Sequence, residues 1–204
     1  MKRLLLAILV LLPSAKAQDR LPPIAADQMT DEQKAAAATY KELRKTDLTG
    51  PPWSVMLRVP DWVVPAVEMR VHVQNHPVLG NRLTEFAILI AAREWTNNYE
   101  WNAHSAAATR AGLGSALVAA IAEGRRPEHM AGDEETVYDF CAELLHNKSV
   151  SDATYARALG AFKEAGVVEL ANIEGYHVYL SMIMNTARSP LPSGARPQLT
   201  PFPK

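Results

Sequence analysis

The segment Arg93-Glu94-Trp95-Thr96-Asn97-Asn98-Tyr99-Glu100-Trp101-Asn102-Ala103-His104 gathers aromatic, acidic, basic and imidazole side chains at close spacing. On a helix, Glu100 and His104 stand at i and i+4 and share one face. Glu85 lies twelve residues before Asn97, within the apolar run that continues through Phe86, Ala87, Ile88, Leu89, Ile90 and Ala91. A carboxylate in such a run is costly unless it is paired or used. A histidine with carboxylate neighbours is equipped for proton transfer near neutral pH. Glu-x-x-x-His also suits two metal ligands on one helical face, as does His72 with His76. No third and fourth ligands stand at recognisable spacing, so no metal is expected. Structural readings of the same residues stand beside these. Asn97-x-x-Glu100 is also a capping-box pattern. Trp95 and Trp101 read as packing residues and Cys141 as core, while His146 and His177 read as solvent-facing or locally paired.

Those side chains need helices to hold them. Thr30-Asp31-Glu32-Gln33 predicts a capped helix to Lys45, ended by the turn Thr49-Gly50-Pro51-Pro52. Residues 53–73, which include Pro60 and Pro65, read as one or two short helices. After the turn His76-Pro77-Val78-Leu79-Gly80, a helix beginning at Asn81 or Thr84 is apolar nearly all round, the mark of a central buried helix. A helix follows from about Tyr99 to Arg110, with a glycine cap at Ala111-Gly112-Leu113, and a short one from Ser115 to Glu123. Asp133 is expected to cap the next, and Ser151 the one after. That last one is expected to end at a second glycine cap, Ala165-Gly166-Val167, before a final helix from Val168 to Thr186. No stretch alternates in the manner of a strand, so the class is all-α.

The chain has 204 residues, with Lys+Arg 21 against Asp+Glu 22 and one cysteine. This suits a single domain over residues 18–188, and the near-neutral charge argues against a nucleic-acid partner. One cysteine excludes an internal disulfide and a two-thiol redox centre. At the amino end, Lys2 and Arg3 precede the apolar run Leu4 to Leu12, and Ala15-Lys16-Ala17 fits a cleavage site. Residues 1–17 therefore read as a signal peptide, with the mature chain starting at Gln18 in the periplasm or outside the cell, and with no membrane association after cleavage. Removing Lys2, Arg3 and Lys16 but no acid lowers the formal charge by three, from -1 to -4. Residues 189–204, with five prolines, read as an extended arm without a core.

Leu83-Thr84-Glu85-Phe86-Ala87-Ile88-Leu89, taken with Asn98-Tyr99-Glu100-Trp101-Asn102-Ala103-His104 and Ala111-Gly112-Leu113, resembles the carboxymuconolactone decarboxylase and alkylhydroperoxidase D superfamily. The likeness covers Leu83 to Leu113 well and Val150 to Arg188 more loosely. In the peroxidase branch a glutamate precedes Cys-x-x-Cys-x-x-x-His. Here Glu85 matches the glutamate and His104 the histidine, while Asn97 and Glu100 stand where the cysteines would be. Thiol-based hydroperoxide reduction is therefore not carried over.

The resemblance instead implies the decarboxylase branch, with cofactor-free acid–base chemistry on a small acidic lactone or carbonyl compound: a decarboxylation or a related lyase or isomerase step. It implies His104 as general acid/base, Glu100 as its partner or a second acid, and Glu85 as a buried relay. Arg93 would hold a substrate carboxylate, and Trp95, Asn97, Tyr99 and Trp101 would line the pocket. It also implies an alkylhydroperoxidase D-like helical bundle assembled as a homotrimer or homohexamer, with the proline-rich tail reaching a neighbour. The family's aromatic-degradation enzymes are cytoplasmic, so an exported member points to a different substrate. Two alternatives remain: an antioxidant relative without the thiol pair, and a non-catalytic oligomeric protein that binds a small ligand.

Overall fold

The computed structural model describes residues 19–75 and 77–200. Residues 1–18, where a leader and its cleavage site are expected, His76 and the last four residues lie outside them. Among the described residues there are eight α-helices and no strand: α1 (Asp31–Arg44), α2 (Trp53–Met56), α3 (Val63–Asn75), α4 (Asn81–Glu94), α5 (Asn98–Arg110), α6 (Ser115–Ala122), α7 (Gly132–Asn147) and α8 (Asp152–Ala187). The class is all-α. None of these helices is long and apolar enough to cross a membrane.

Local chemistry sets most of the boundaries. Thr30 and Gln33 form a reciprocal capping box at the start of α1, and Ser151 caps α8 through the Thr154 amide. Gly112, with φ of +97°, turns the chain after α5, a conformation a side chain would disfavour. Asp133 is not the cap of α7. Ala131 holds that position, the Glu134 carboxylate accepts its N–H, and Asp133 pairs with Arg82.

Helix α4 is the central element and packs against α5, α7 and α8. Its residues Phe86, Ala87, Leu89, Ala91 and Ala92 are wholly buried, as an all-round apolar sequence requires. Two apolar clusters result. One joins α4 to α7 with the first part of α8; the other joins α1, α2 and α3 with Tyr176, Leu180 and Met184 of α8. The Tyr176 hydroxyl donates to the Ala66 carbonyl at 2.8 Å, tying α8 to α3 within the second cluster.

Two expectations are corrected here. The helix from Ser151 does not end at Gly166, since α8 runs on to Ala187 and its helical dihedrals break instead at Lys163 (φ 62°, ψ 179°). Gly166 is a close-approach residue: a Cβ there would stand 2.4 Å from Phe162 Cβ and 3.2 Å from Leu79 Cδ2. Nor is the tail an arm without a core. Leu199 is 3% exposed within the larger cluster, and Asn98 Oδ1 accepts from the Gln198 and Leu199 amides at 2.8 Å each. The tail's described part is thus docked on its own α4 and α5.

Candidate functional site

Asn97 sits in extended conformation as the cap of α5, its Oδ1 accepting from the Tyr99 and Glu100 amides at 3.0 Å each. Its Nδ2 donates to Asn185 Oδ1 at 3.2 Å. These bonds make Asn97 a capping and bridging residue. The capping box is not reciprocal, because the Glu100 side chain turns inward rather than back to the cap.

That inward turn builds the centre of the site. Glu100 Oε2 lies 2.8 Å from His177 Nδ1 and 3.7 Å from His104 Nε2. On the other side of the ring, His104 Nδ1 lies 2.7 Å from Glu85 Oε2. The His104 and His177 rings stand edge-to-face with centroids 5.3 Å apart. A chain Glu85–His104–Glu100–His177 therefore links α4, α5 and α8. It runs along the seam between the apolar clusters, where a surrounding of low polarity strengthens each bond.

Burial opposes the charge of Glu100, but the His177 hydrogen bond, with the neighbouring imidazoles and the Arg70 guanidinium, prevails and holds its carboxyl below the ordinary value. Burial depresses His177, and its bond to Glu100 offsets this only in part. Glu100 is consequently the anion and His177 the neutral donor through Nδ1.

Glu100, His104 and His177 line a cavity of ≈ 260 Å³ whose other walls include Tyr40, Arg44, Trp53, Arg70 and Tyr99. Glu85 faces a second cavity of ≈ 270 Å³, which shares Arg70 with the first and adds Thr84 and Arg110. The bonded Glu85–His104 pair thus stands between two solvent-reachable spaces. Burial lowers the proton affinity of Arg70, and the charge of Arg44 adds to that, while Glu85 and Glu100 act in the opposite sense. Arg44 is held through Nη1 to Gln74 Oε1 at 2.7 Å, and its buried Nε has no partner among the described residues. Two half-buried guanidinium groups repelling one another at a cavity wall suit an anionic ligand.

The structure thus brings Glu85, Glu100 and His104 together, with Tyr99 on the wall. It does not bring Arg93, Trp95 or Trp101 to that cavity. Arg93 is buried at the far end of α4, where its Nη1 donates to the Thr200 carbonyl at 2.8 Å, and it lines a different space with Glu94, Tyr138 and His146. Trp95 ends α4, with its carbonyl accepting from Asn185 Nδ2. Trp101 is 1% exposed in the core, its Nε1 donating to Gln198 Oε1 at 3.2 Å. Cys141 is fully buried in α7, where burial pushes its thiol well above the ordinary value.

Two participants escaped the sequence reading. His177 is neither solvent-facing nor incidental, since it is 0% exposed at the centre of the site. A signal was present: Leu170, Ile173, His177, Leu180 and Met184 follow alternating three- and four-residue steps, which place His177 on the buried stripe of α8. Arg70 likewise continues the Val63, Ala66, Val67 face of α3, one step before Val73. His177 also adds a third group of the ligating type beside the Glu100–His104 pair: one nitrogen or oxygen atom each from Glu100, His104 and His177 lies within 4.8 Å of the others.

No family model, curated protein or solved structure matches this chain. Its central histidine is oriented by one carboxylate and faces another, and it borders a cavity with two guanidinium groups. Such a set can move a proton to or from an anionic substrate.

Proposed function

We propose that the chain is an exported, carboxymuconolactone decarboxylase-like enzyme that moves protons on a small carboxylated lactone or related carbonyl compound. The observation that carries the reading is the 2.7 Å contact between His104 Nδ1 and Glu85 Oε2 beside the cavity that holds Arg44 and Arg70. Glu85 orients the ring, leaving Nε2 as the atom that exchanges a proton with substrate. A carboxylate or lactone oxygen rests against Arg70 and Arg44, which replaces the role expected of Arg93. The bond from the substrate's carbon to its departing carboxylate breaks, carbon dioxide leaves, and the electron pair passes into the conjugated carbonyl. His104 then delivers its Nε2 proton to carbon and recovers one from water, while anionic Glu100 stabilises the imidazolium form.

The all-helical fold and the Glu85–His104 spacing support membership of the alkylhydroperoxidase D-like superfamily. Its thiol branch is disfavoured by the burial of Cys141. Self-association belongs to the same reading and is supported by the exposed apolar patch around Val59 and Trp62, at 54% and 59% exposure. Export rests on the leader-like residues 1–17.

The test is carbon dioxide release from a panel of carboxylated lactones and 3-oxo acids, comparing wild type with His104→Gln. Release that falls about 10²-fold or more in the variant, with helical signal and melting midpoint retained, supports the reading. No release from any substrate, or release indifferent to His104, overturns it and leaves a ligand-binding role.

A further inference from the structure

The side chains that meet beside the cavity of Arg44 and Arg70 do more than form an acid–base pair. Donation of the His104 Nδ1 proton to Glu85 leaves an Nε2 lone pair directed toward Glu100 Oε2, 3.7 Å away, so two acceptors face one another. His177, wholly buried, places Nδ1 against the same Glu100 oxygen at 2.8 Å, so both imidazoles converge on one carboxylate oxygen. Two carboxylates and two imidazoles therefore converge with more acceptor positions than protons to fill them.

We propose that Glu100, His104 and His177 bind a divalent transition ion of the zinc or cobalt type. Two imidazoles and one carboxylate are a common donor set for such ions, and it leaves positions open for water or a substrate oxygen. Ligands about 2.0–2.1 Å from a tetrahedral ion stand about 3.3 Å apart; His177 Nδ1 and His104 Nε2 stand 2.8 Å and 3.7 Å from Glu100 Oε2, and one atom from each of the three side chains lies within 4.8 Å of the others, so small side-chain shifts, with release of the His177 Nδ1 proton, would seat an ion. Glu85 completes the arrangement by holding the far nitrogen of His104, as an outer carboxylate does behind a ligating histidine. The open positions face the ≈ 260 Å³ cavity with its Arg44 and Arg70 wall, so an anion held there reaches the ion. The ion and the proton compete for the same Nε2, and the two roles belong to different states of the site. The inference does not depend on the proposed reaction, because its test contains no substrate.

Metal-stripped full-length protein is titrated with Co²⁺ and with Zn²⁺ alone, followed by calorimetry and by the visible absorption of cobalt. The expected result is saturation at one ion per chain. His104→Gln and His177→Gln should each weaken binding by about tenfold or more, and Glu85→Gln by about 10–100-fold, the usual effect of losing an outer partner. His146→Gln, on the distant surface pair with Glu94, should leave it unchanged. If His177→Gln loses the helical signal, Glu85→Gln decides, since that residue is partly exposed and its replacement keeps the shape. Absence of saturable binding in wild type overturns the inference. So does binding that survives the site substitutions, or binding that His146→Gln removes.

Discussion

Glu174 carries its carboxyl into the core beside the Cys141 thiol, whose hydrogen bond only partly offsets the burial. Burial pushes its titration up to about 8. The folded chain therefore binds a proton that the unfolded chain releases near the ordinary carboxyl value of 4.5. The stability linked to that proton is fully present below the unfolded value and is lost as pH rises toward about 8. In thermal melts from pH 5 to 9, wild type should lose midpoint across this window. Glu174→Gln should show a flatter profile and exceed wild type at pH 9; an unchanged slope would refute this account. Arg70 gives a second test at the same scale. Arg70→Met should raise KM for carbon dioxide release by about tenfold or more with a smaller effect on kcat, the signature of lost anion binding. Arg93→Met should act on melting midpoint instead, because that side chain holds the tail.

Among the elements, the tail and the long α8 depend most on contacts distant in sequence. Leu199 fills a gap in the larger cluster, and Leu199→Ala should lower stability by about 2–4 kcal/mol, read from a denaturant midpoint at unchanged slope. A free arm would show no such loss. Gly166→Ala should also destabilise, because the added methyl must displace Phe162 or Leu79. A neutral result would mean that the Lys163 break relaxes to make room. Helix ends were mostly legible in the sequence, as Thr30 and Ser151 demonstrate, because a cap is a bond among neighbouring residues. The break in α8 was not. A glycine near the expected end suggested a cap, whereas this one is required by the approach of two other side chains.

At the scale of the whole molecule, the apolar face around Val59 and Trp62 should be covered in solution if the chain self-associates as proposed. Light scattering on the eluting protein should then give a mass that is a multiple of the chain's 22.4 kDa, less any leader removed. Trp62→Ser should lower that mass, and a wild-type monomer would remove the oligomer from the reading. The site has the same global character. Glu85, Glu100, His177 and Arg70 come from α4, α5, α8 and α3, and only the packing of two apolar clusters along one seam brings them into register.

The amino-acid sequence by itself determined the all-α class, the position of the central helix, the caps at Thr30 and Ser151, and the placement of Glu100 and His104 on one helical face. All of these follow from propensity, periodicity and spacing within a few residues. That Glu85 needs a reason was legible as well, since it is a carboxylate in an apolar run; that it bonds His104 was not. Only the tertiary structure decided that His177 and Arg70 complete the site, that Arg93 and Trp101 serve the docked tail, and that Glu100 turns inward instead of closing a box with Asn97. The physical reason is distance along the chain. His177 lies 77 residues from Glu100, and a hydrogen bond across that separation depends on where α8 packs, which no local pattern specifies.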